Sequence, residues 1–251
     1  MKRNKIKKKY LDVIKPVDNT SVYDRWTKKI FKGLFSLLLI LLLLCWGIIP
    51  AIIMLMMGFD IDKTPMFSKV CFMLVGDLLF LALIIKIYYK DLKKDFKNYF
   101  GKNFRSNFKQ SLKYWLVGFA IMYISNLVIA VVIGDITNNE EAVRTLVDTT
   151  PWYMALNLAI YAPLTEELIF RKSIRDVIDN RYIYAIISGV IFGGLHVISS
   201  ITGAIDLLYL IPYCALGIAF GLLYSKSNNI FSTIVVHSIH NTLAFIIYLL
   251  V

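Results

Sequence analysis

Two adjacent glutamates, Glu166 and Glu167, lie at the end of a largely apolar stretch that runs from Trp152 to Phe170. A carboxylate inside a bilayer is costly unless it faces a cavity, a partner or the path of a substrate. Two later apolar segments each carry a histidine, His196 in the first and His237 in the second. Carboxylates and imidazoles are the groups that enzymes use most often to move protons. The sequence therefore predicts an enzyme that performs its chemistry within a membrane.

The two glutamates belong to a Glu-Glu-x-x-x-Arg pattern that ends at Arg171. Glu167 and Arg171 are four residues apart, so on a helix they share a face and can form an ion pair. Glu166 points about 100° away and is free for chemistry. Pro163 has no N–H, so we expect it to loosen the helix and to leave a carbonyl available toward a cavity. The alternative, a charge pair that only fixes helix packing, leaves Glu166 unexplained.

The next apolar segment places Phe192 and His196 four residues apart, on one helical face. The two glycines between them permit close approach of a neighbouring helix. On its own His196 could equally be an ordinary hydrogen-bonding residue between helices. If a hairpin turn lies near Asp179–Arg181, however, Glu166 and His196 both lie about 20 Å from that turn. We therefore expect these two side chains to face each other.

The last apolar segment contains His237 and Asn241, again four residues apart. On a helix their side chains share a face and can aim two hydrogen-bonding groups at one point. His240 is rotated about 60° from His237 and is interpreted as an accessory or packing residue. His237 is thus the favoured functional histidine of this segment.

These three patterns, in this order on consecutive apolar helices, resemble the CPBP family, which includes the CAAX endopeptidases that process prenylated proteins and the bacterial Abi-type proteases. The resemblance covers residues 152–251. It implies that Glu166 is the catalytic glutamate and that His196 helps to hold the attacking water. His237 and Asn241 are then the residues that stabilise the oxyanion. The remaining motif positions, interpreted as supporting structure, are Glu167, Arg171 and Phe192.

The chemistry of these side chains agrees with that interpretation. Peptide hydrolysis needs a base that activates water, donors for the oxyanion and an acid for the leaving amine. A glutamate removed from bulk water can take a proton from the attacking water and return it later. A serine or cysteine mechanism is less supported, because the sequence has no G-x-S-x-G motif and no cysteine beside a histidine.

A metal ion is the alternative to a metal-free glutamate mechanism. Glu166, His196 and His237 could together form a site of two histidines and one carboxylate, which is a known zinc ligand set. The sequence has no H-E-x-x-H helix. We favour the absence of a metal cofactor and keep zinc as the alternative.

The composition predicts an all-α, polytopic membrane protein. Hydrophobic residues make up 58% of the 251 positions and charged residues only 18%, with a mean hydropathy of +0.64. A soluble domain of this length is less apolar. Runs near 20 apolar residues predict about seven spans, with the active site between the last four helices. The candidate spans are 30–57, 66–87, 114–133, 152–170, 182–199, 205–224 and 230–251.

Lysine and arginine counts predict the orientation. Of the 28 basic residues, 25 lie on alternate connections, and the other side receives only Lys63, Lys69 and Arg144. The positive-inside rule therefore places the N-terminus in the cytoplasm of a cell-membrane protein. The net charge of +11 is explained by topology rather than by binding of nucleic acid. We divide the chain into a basic tail (1–29), N-terminal membrane helices (30–133) and a catalytic core (152–251).

A second glutamate pair, in Glu140 to Arg144, has the spacing EExxR and is expected to lie in a solvated external loop. The predicted partners are membrane lipid and a peptide or protein substrate presented at the bilayer. Peptide maturation, bacteriocin immunity or signalling are the expected roles. The alternatives are a non-proteolytic regulator or scaffold that binds a sensor kinase or peptide exporter, and a transporter with a proton-coupling glutamate.

Overall fold

The computed structural model describes residues 19–134 and 136–250, and within this part of the chain all regular structure is helical. The N-terminal half contains five helices. They are α1 (Asn19–Trp46), α2 (Ile49–Met56), α3 (Met66–Tyr99), α4 (Phe104–Val132) and α5 (Asn138–Thr149).

The next segment, which we call the broken helix, alternates between α-helical and π-helical turns. It consists of α6 (Pro151–Leu156), a π-helical segment (Asn157–Tyr161), α7 (Ala162–Glu166) and a second π-helical segment (Glu167–Ser173). Three long elements follow it. They are α8 (Arg181–Val197), which ends in a 3₁₀ turn (Ile198–Ser200), α9 (Leu210–Ser227), which begins in a 3₁₀ turn (Ile205–Tyr209), and α10 (Phe231–Leu250).

Six helices of the described chain are long and apolar enough to cross a membrane: α1, α3, α4, α8, α9 and α10, with the two 3₁₀ turns extending α8 and α9. The broken helix corresponds to the remaining predicted span. The predicted fold class, an all-α polytopic bundle of about seven spans, is thus confirmed. This is a multi-pass membrane protein.

Several helices extend beyond the apolar runs that predicted them. α1 begins at Asn19 rather than at residue 30, and α3 continues to Tyr99 rather than ending at residue 87. The backbone hydrogen bonds of a helix do not stop where the hydrocarbon does, so polar turns continue it. The long first run is interrupted after Trp46, and Pro50 occupies the first turn of α2. Of the predicted basic tail, residues 1–18 lie outside the described residues.

Contacts between connections define two ends of the bundle. The basic end gathers the turns at 100–103, 174–180 and 228–230, where Asp95 of α3 accepts a hydrogen bond from the Ile230 N–H at 2.9 Å. The α5 end gathers α5 and the ends of α8 and α10. There Asn138 donates to the Ser199 carbonyl at 2.7 Å, and Tyr248 donates to Asp148 at 2.9 Å.

Helices α8 and α9 pack closely through glycines. A Cβ added at Gly193 would lie 2.6 Å from Sγ and 2.8 Å from the backbone nitrogen of Cys214 on α9. Gly189 of α8 and Gly217 of α9 meet in the same seam, as small residues do between membrane helices. The predicted close approach is confirmed for Gly193 but is wrong for Gly194, where an added Cβ has no neighbour within 4 Å among the described residues.

We expect Gly193→Ala to destabilise the protein, because the new methyl group would collide with the α9 backbone. Overpacking of this kind costs about 1–3 kcal/mol. Gly194→Ala is the matched control, since its methyl group meets open space. The measurement is the fraction of detergent-solubilised protein that stays monodisperse after heating; equal losses for both variants would contradict the prediction.

Candidate active site

Pro163 interrupts the backbone hydrogen bonds of the broken helix. Proline has no N–H to donate to the carbonyl four residues earlier, which belongs to Ala159. Ser238 of α10 donates to that carbonyl instead. The carbonyl predicted to be available is therefore bound by α10, and Ala159 does not line the cavity described below. This bond also places α10 next to the glutamates.

Glu167 is fully buried, and its two carboxylate oxygens lie against Arg171 and His237. The Nε of Arg171 donates to its Oε2 at 3.1 Å, which is the predicted ion pair. Its Oε1 lies 2.9 Å from Nδ1 of His237 on α10. The carboxylate paired with Arg171 accepts this bond, so Nδ1 is the donor. Glu167 thus fixes both the position and the orientation of the His237 ring.

Arg171 is also fully buried and connects three helices. Its Nη1 donates to the Ser188 hydroxyl of α8 at 2.7 Å, and that hydroxyl donates to the Phe170 carbonyl at 2.8 Å. The guanidinium carbon lies 4.9 Å from the centre of the Phe192 ring and 6.0 Å from that of Phe220, within the range of cation–π attraction. Its Nη2 has no hydrogen-bond partner among the described residues.

Glu166 lies on the other side of the His237 ring from Glu167. Its Oε2 is 3.8 Å from Nε2 of His237, and its side chain keeps 18% of its exposure. The two neighbouring glutamates therefore have different surroundings, as their helical spacing predicted. Glu167 is enclosed by protein, whereas Glu166 borders a cavity.

His196 is oriented by its own helix and by α9. Its Nδ1 lies 2.8 Å from the Phe192 carbonyl, which accepts, so Nδ1 is the donor. The ring lies 4.3 Å from the Phe192 ring, as their shared face predicted, and it stacks on Tyr213 of α9 at 5.3 Å. The neutral ring then carries its lone pair on Nε2, which can accept a hydrogen bond from water.

One cavity of about 330 Å³ brings the predicted catalytic residues together. Glu166, His196, His237 and Asn241 all line it. It is not confined to the last four helices, because Met122 of α4 and one face of α5 also line it. The α5 residues are Asn139, Glu140, Val143, Arg144 and Val147.

His240 also lines this cavity but lies apart from the glutamates. Trp115 of α4 donates to its Nδ1 at 3.4 Å, and the rings of Trp115 and Phe119 pack against it. His237 contacts both glutamates, so the geometry agrees with the preference for His237 over His240.

The sequence interpretation missed a polar cluster around Asp77 of α3. Tyr153 donates to Asp77 at 2.8 Å, and the Asn157 side-chain amide donates to it at 3.2 Å. Asn157 begins the first π-helical segment and lines the cavity. Asp77 is a single carboxylate in an apolar run, so the argument applied to Glu166 would also have selected it.

The segment Glu140–Arg144 was also misjudged. It belongs to α5, which Thr137 caps by accepting a hydrogen bond from the Glu140 N–H at 3.2 Å, and it is not a loop. Arg144 pairs with Glu140 at 3.0 Å and stacks on the Tyr248 ring. Both charged residues line the cavity, so this helix forms part of its wall.

The residues proposed for a metal do not form a ligand set. Among the described residues, no three histidine, cysteine, aspartate or glutamate side chains lie close enough together to hold a metal ion. His237 directs one ring nitrogen to Glu167, which leaves only Nε2 for any ligand. We therefore derive no step through zinc, and the metal-free mechanism stays a prediction.

Comparisons with known proteins agree with this geometry. Residues 148–243 match the family model described as Type II CAAX prenyl endopeptidase Rce1-like. The resemblance to CAAX endopeptidases that the sequence patterns predicted is thus confirmed over this segment. The segment includes the broken helix, α8, α9 and the first part of α10, and therefore every predicted site residue.

Two curated proteins are similar to part of the chain. YdiL of Bacillus subtilis (strain 168), named as a candidate membrane peptidase, is 32% identical over 120 residues, which are 47% of this chain and 46% of YdiL. The UPF0177 protein YxdF of Lactococcus lactis subsp. lactis (strain IL1403) is 38% identical over 81 residues, 32% of this chain and 42% of YxdF. The chain thus spans less than half the length of either relative, and no solved structure matches it.

We expect Arg171→Met to destabilise the protein strongly. The substitution leaves the Glu167 carboxylate buried without its cation, and breaking a buried pair in this way costs about 3–5 kcal/mol. Lys172→Met is the matched control, because Lys172 forms partly exposed ion pairs that contribute about 0–1 kcal/mol. Thermal unfolding in detergent measures both, and an Arg171 variant as stable as the Lys172 variant would refute this role.

We expect Asp77→Leu to lower stability, because the buried Tyr153 hydroxyl and Asn157 amide lose their acceptor. An unsatisfied buried polar group costs about 1–3 kcal/mol. Asp77→Asn keeps a carbonyl oxygen that can accept from one of them, so its loss should be smaller. Thermal unfolding of the two variants beside the parent measures the difference; identical unfolding of Asp77→Leu and the parent would contradict it.

Proposed function

We propose that this chain is an intramembrane endopeptidase that hydrolyses a peptide bond in a membrane-presented peptide or protein. The observation that carries the proposal is the convergence of Glu166, His196, His237 and Asn241 on one cavity. The similarity of residues 148–243 to Rce1-like endopeptidases, and of the chain to YdiL, supports the same class of reaction.

Glu166 is the proposed general base. It borders the cavity, whereas the neighbouring carboxylate, that of Glu167, is paired with Arg171. A water held between Glu166 and His196 can donate one hydrogen to the Glu166 carboxylate and the other to Nε2 of His196. Its oxygen lone pair is then free to attack the carbonyl carbon of the substrate.

His237 and Asn241 are the proposed donors to the oxyanion of the tetrahedral intermediate. The Asn241 amide supplies one N–H. His237 supplies Nε2–H when its ring carries both protons, since Nδ1 already donates to Glu167. The carboxylates of Glu167 and Glu166 lie 2.9 Å from Nδ1 and 3.8 Å from Nε2 of this ring. Glu166 then returns its proton to the leaving amine, which breaks the C–N bond.

The product of this reaction is a shortened peptide, so the proposed biological role is the maturation of a membrane-presented peptide. Bacteriocin immunity and signalling are roles that such processing can serve. We keep the metal-free glutamate mechanism as the proposal, with no cofactor. The rival class, a regulator or scaffold, would use the surface of the bundle and not the Glu166 carboxylate.

We expect Glu166→Gln to abolish processing while leaving the protein in the membrane. The amide cannot accept a proton from water, and loss of a general base lowers the rate by about 10²–10⁴-fold. Glu141→Gln is the matched control, since Glu141 is exposed on α5 and does not line the cavity. Both variants are expressed in a deletion strain of the source organism, and new N-termini among secreted and membrane peptides are measured by mass spectrometry.

Membrane abundance, measured by immunoblot, separates loss of activity from loss of protein. A Glu166→Gln variant that is abundant and restores the peptide profile of the parent would refute the protease. The regulator or scaffold would then explain any phenotype of the deletion.

A further inference from the structure

The lining of the cavity extends to only one of the two ends of the bundle that the described residues define. On α10 its lining consists of His237, His240, Asn241, Ala244, Phe245 and Tyr248. These residues follow a single helical face from the first turns of α10 toward its C-terminus. At the deep end His237 and Phe192 keep only 3% and 4% of their exposure. At the other end lie Tyr248 and the exposed Arg144.

This end is the α5 end. Five α5 residues line the cavity, and bonds from Asn138 to Ser199 and from Tyr248 to Asp148 hold α5 across the ends of α8 and α10. None of the turns at 100–103, 174–180 and 228–230, which make up the basic end, contributes to the lining.

We propose that the substrate reaches Glu166 from the membrane face on which α5 lies, and that it is an extended segment of an exported peptide. This inference rests on the proposed function. The basic segments cluster at the opposite end, and basic connections stay in the cytoplasm. The mouth of the cavity therefore faces the extracytoplasmic side.

The length of the cavity wall corresponds to a short stretch of extended chain. His237 and Tyr248 are 11 positions apart on α10, which corresponds to about 16 Å along the helix axis. An extended peptide rises about 3.3 Å per residue, so about five residues span that distance. The wall is apolar along most of this length, with Val143, Val147 and Phe245, and it carries Glu140 and Arg144 at the mouth. It suits an apolar segment that is flanked by polar residues.

The α5 wall is a feature of this chain outside most of the family match. The match begins at residue 148, whereas the α5 residues of the lining lie between 139 and 147. The glutamates and histidines thus belong to the matched segment, while the mouth that selects the substrate is built mainly from residues outside it, on α5 and at the end of α10.

Cysteine labelling tests the face of the opening. Each variant is made after the native Cys45, Cys71 and Cys214 are replaced by alanine, and intact cells are treated with a small, membrane-impermeant thiol reagent. Ala244→Cys reports on the cavity, because Ala244 lines it. Leu243→Cys is the matched control at the same depth, since Leu243 is exposed on the described bundle but lies outside the lining.

Two surface positions calibrate the orientation. Ala142→Cys lies on the exposed face of α5, and Lys102→Cys lies in the turn between α3 and α4 at the basic end. We expect intact cells to label Ala142→Cys and Ala244→Cys at least tenfold faster than Lys102→Cys and Leu243→Cys. Opened membranes should label Lys102→Cys as well.

Labelling of Ala244→Cys only from the cytoplasmic side would overturn the proposal. So would its failure to react from either side while Ala142→Cys reacts, since the cavity would then be closed to water. The labelling does not require hydrolysis, so it remains interpretable if Glu166→Gln restores the parent profile. In that case the accessibility of the cavity would be supported and the proposed protease activity would be refuted.

Discussion

The buried Glu167 carboxylate is the interaction on which the rest of the site depends. A charge removed from water destabilises a fold unless it is paired and hydrogen-bonded. Arg171 supplies the countercharge from the same helix, and His237 supplies a second donor from α10. Arg171 is in turn held by Ser188 of α8 and by the rings of Phe192 and Phe220. Through one carboxylate, the broken helix is therefore fixed against α8, α9 and α10.

This arrangement explains why the chain needs two adjacent glutamates. Neighbouring residues on a helix point in different directions, so one carboxylate can face the protein while the next faces the cavity. Glu167 orients the His237 ring through Nδ1, and Glu166 lies near Nε2 of the same ring. The His237 ring therefore links the buried Glu167–Arg171 pair to Glu166, which borders the cavity. The π-helical segments and the Ser238 bond to Ala159 set the local geometry that makes this possible.

Whether a contact of the site could be predicted from the sequence depended on the distance along the chain between the interacting residues. The Glu167–Arg171 pair and the Phe192–His196 contact are four residues apart, and helical periodicity is sufficient to predict both. The contact between Glu167 and His237 joins residues 70 positions apart, so it depends on how helices pack. The hydrogen bonds to Asp77 join residues 76 and 80 positions apart, and the sequence shows only an isolated carboxylate.

The accuracy of the predicted helix bounds was limited by a different physical effect. Apolar runs mark the part of a helix that lies in hydrocarbon, whereas backbone hydrogen bonding continues α1 and α3 into polar turns. The same reasoning made Glu140–Arg144 look like a solvated loop, because its charges were taken to exclude a role in the bundle. A short amphipathic helix can carry charges and still pack on the bundle. In α5, Arg144 pairs with Glu140 and stacks on Tyr248, while Val147 is buried against the bundle.

The division between shared and particular features follows from these contacts. The residues that would hold water and oxyanion are on the broken helix, α8 and α10, within the segment that matches Rce1-like endopeptidases. Asp77 and most of α5 lie outside that segment, yet Asp77 holds Asn157 and α5 forms a wall of the same cavity. The contacts of the buried Glu167–Arg171 pair are to α8, α9 and α10, and none of these contacts involves α5. The α5 wall and the hydrogen bonds of Asp77 therefore contribute to the shape of the cavity, whereas the buried ion pair fixes the position of the two carboxylates.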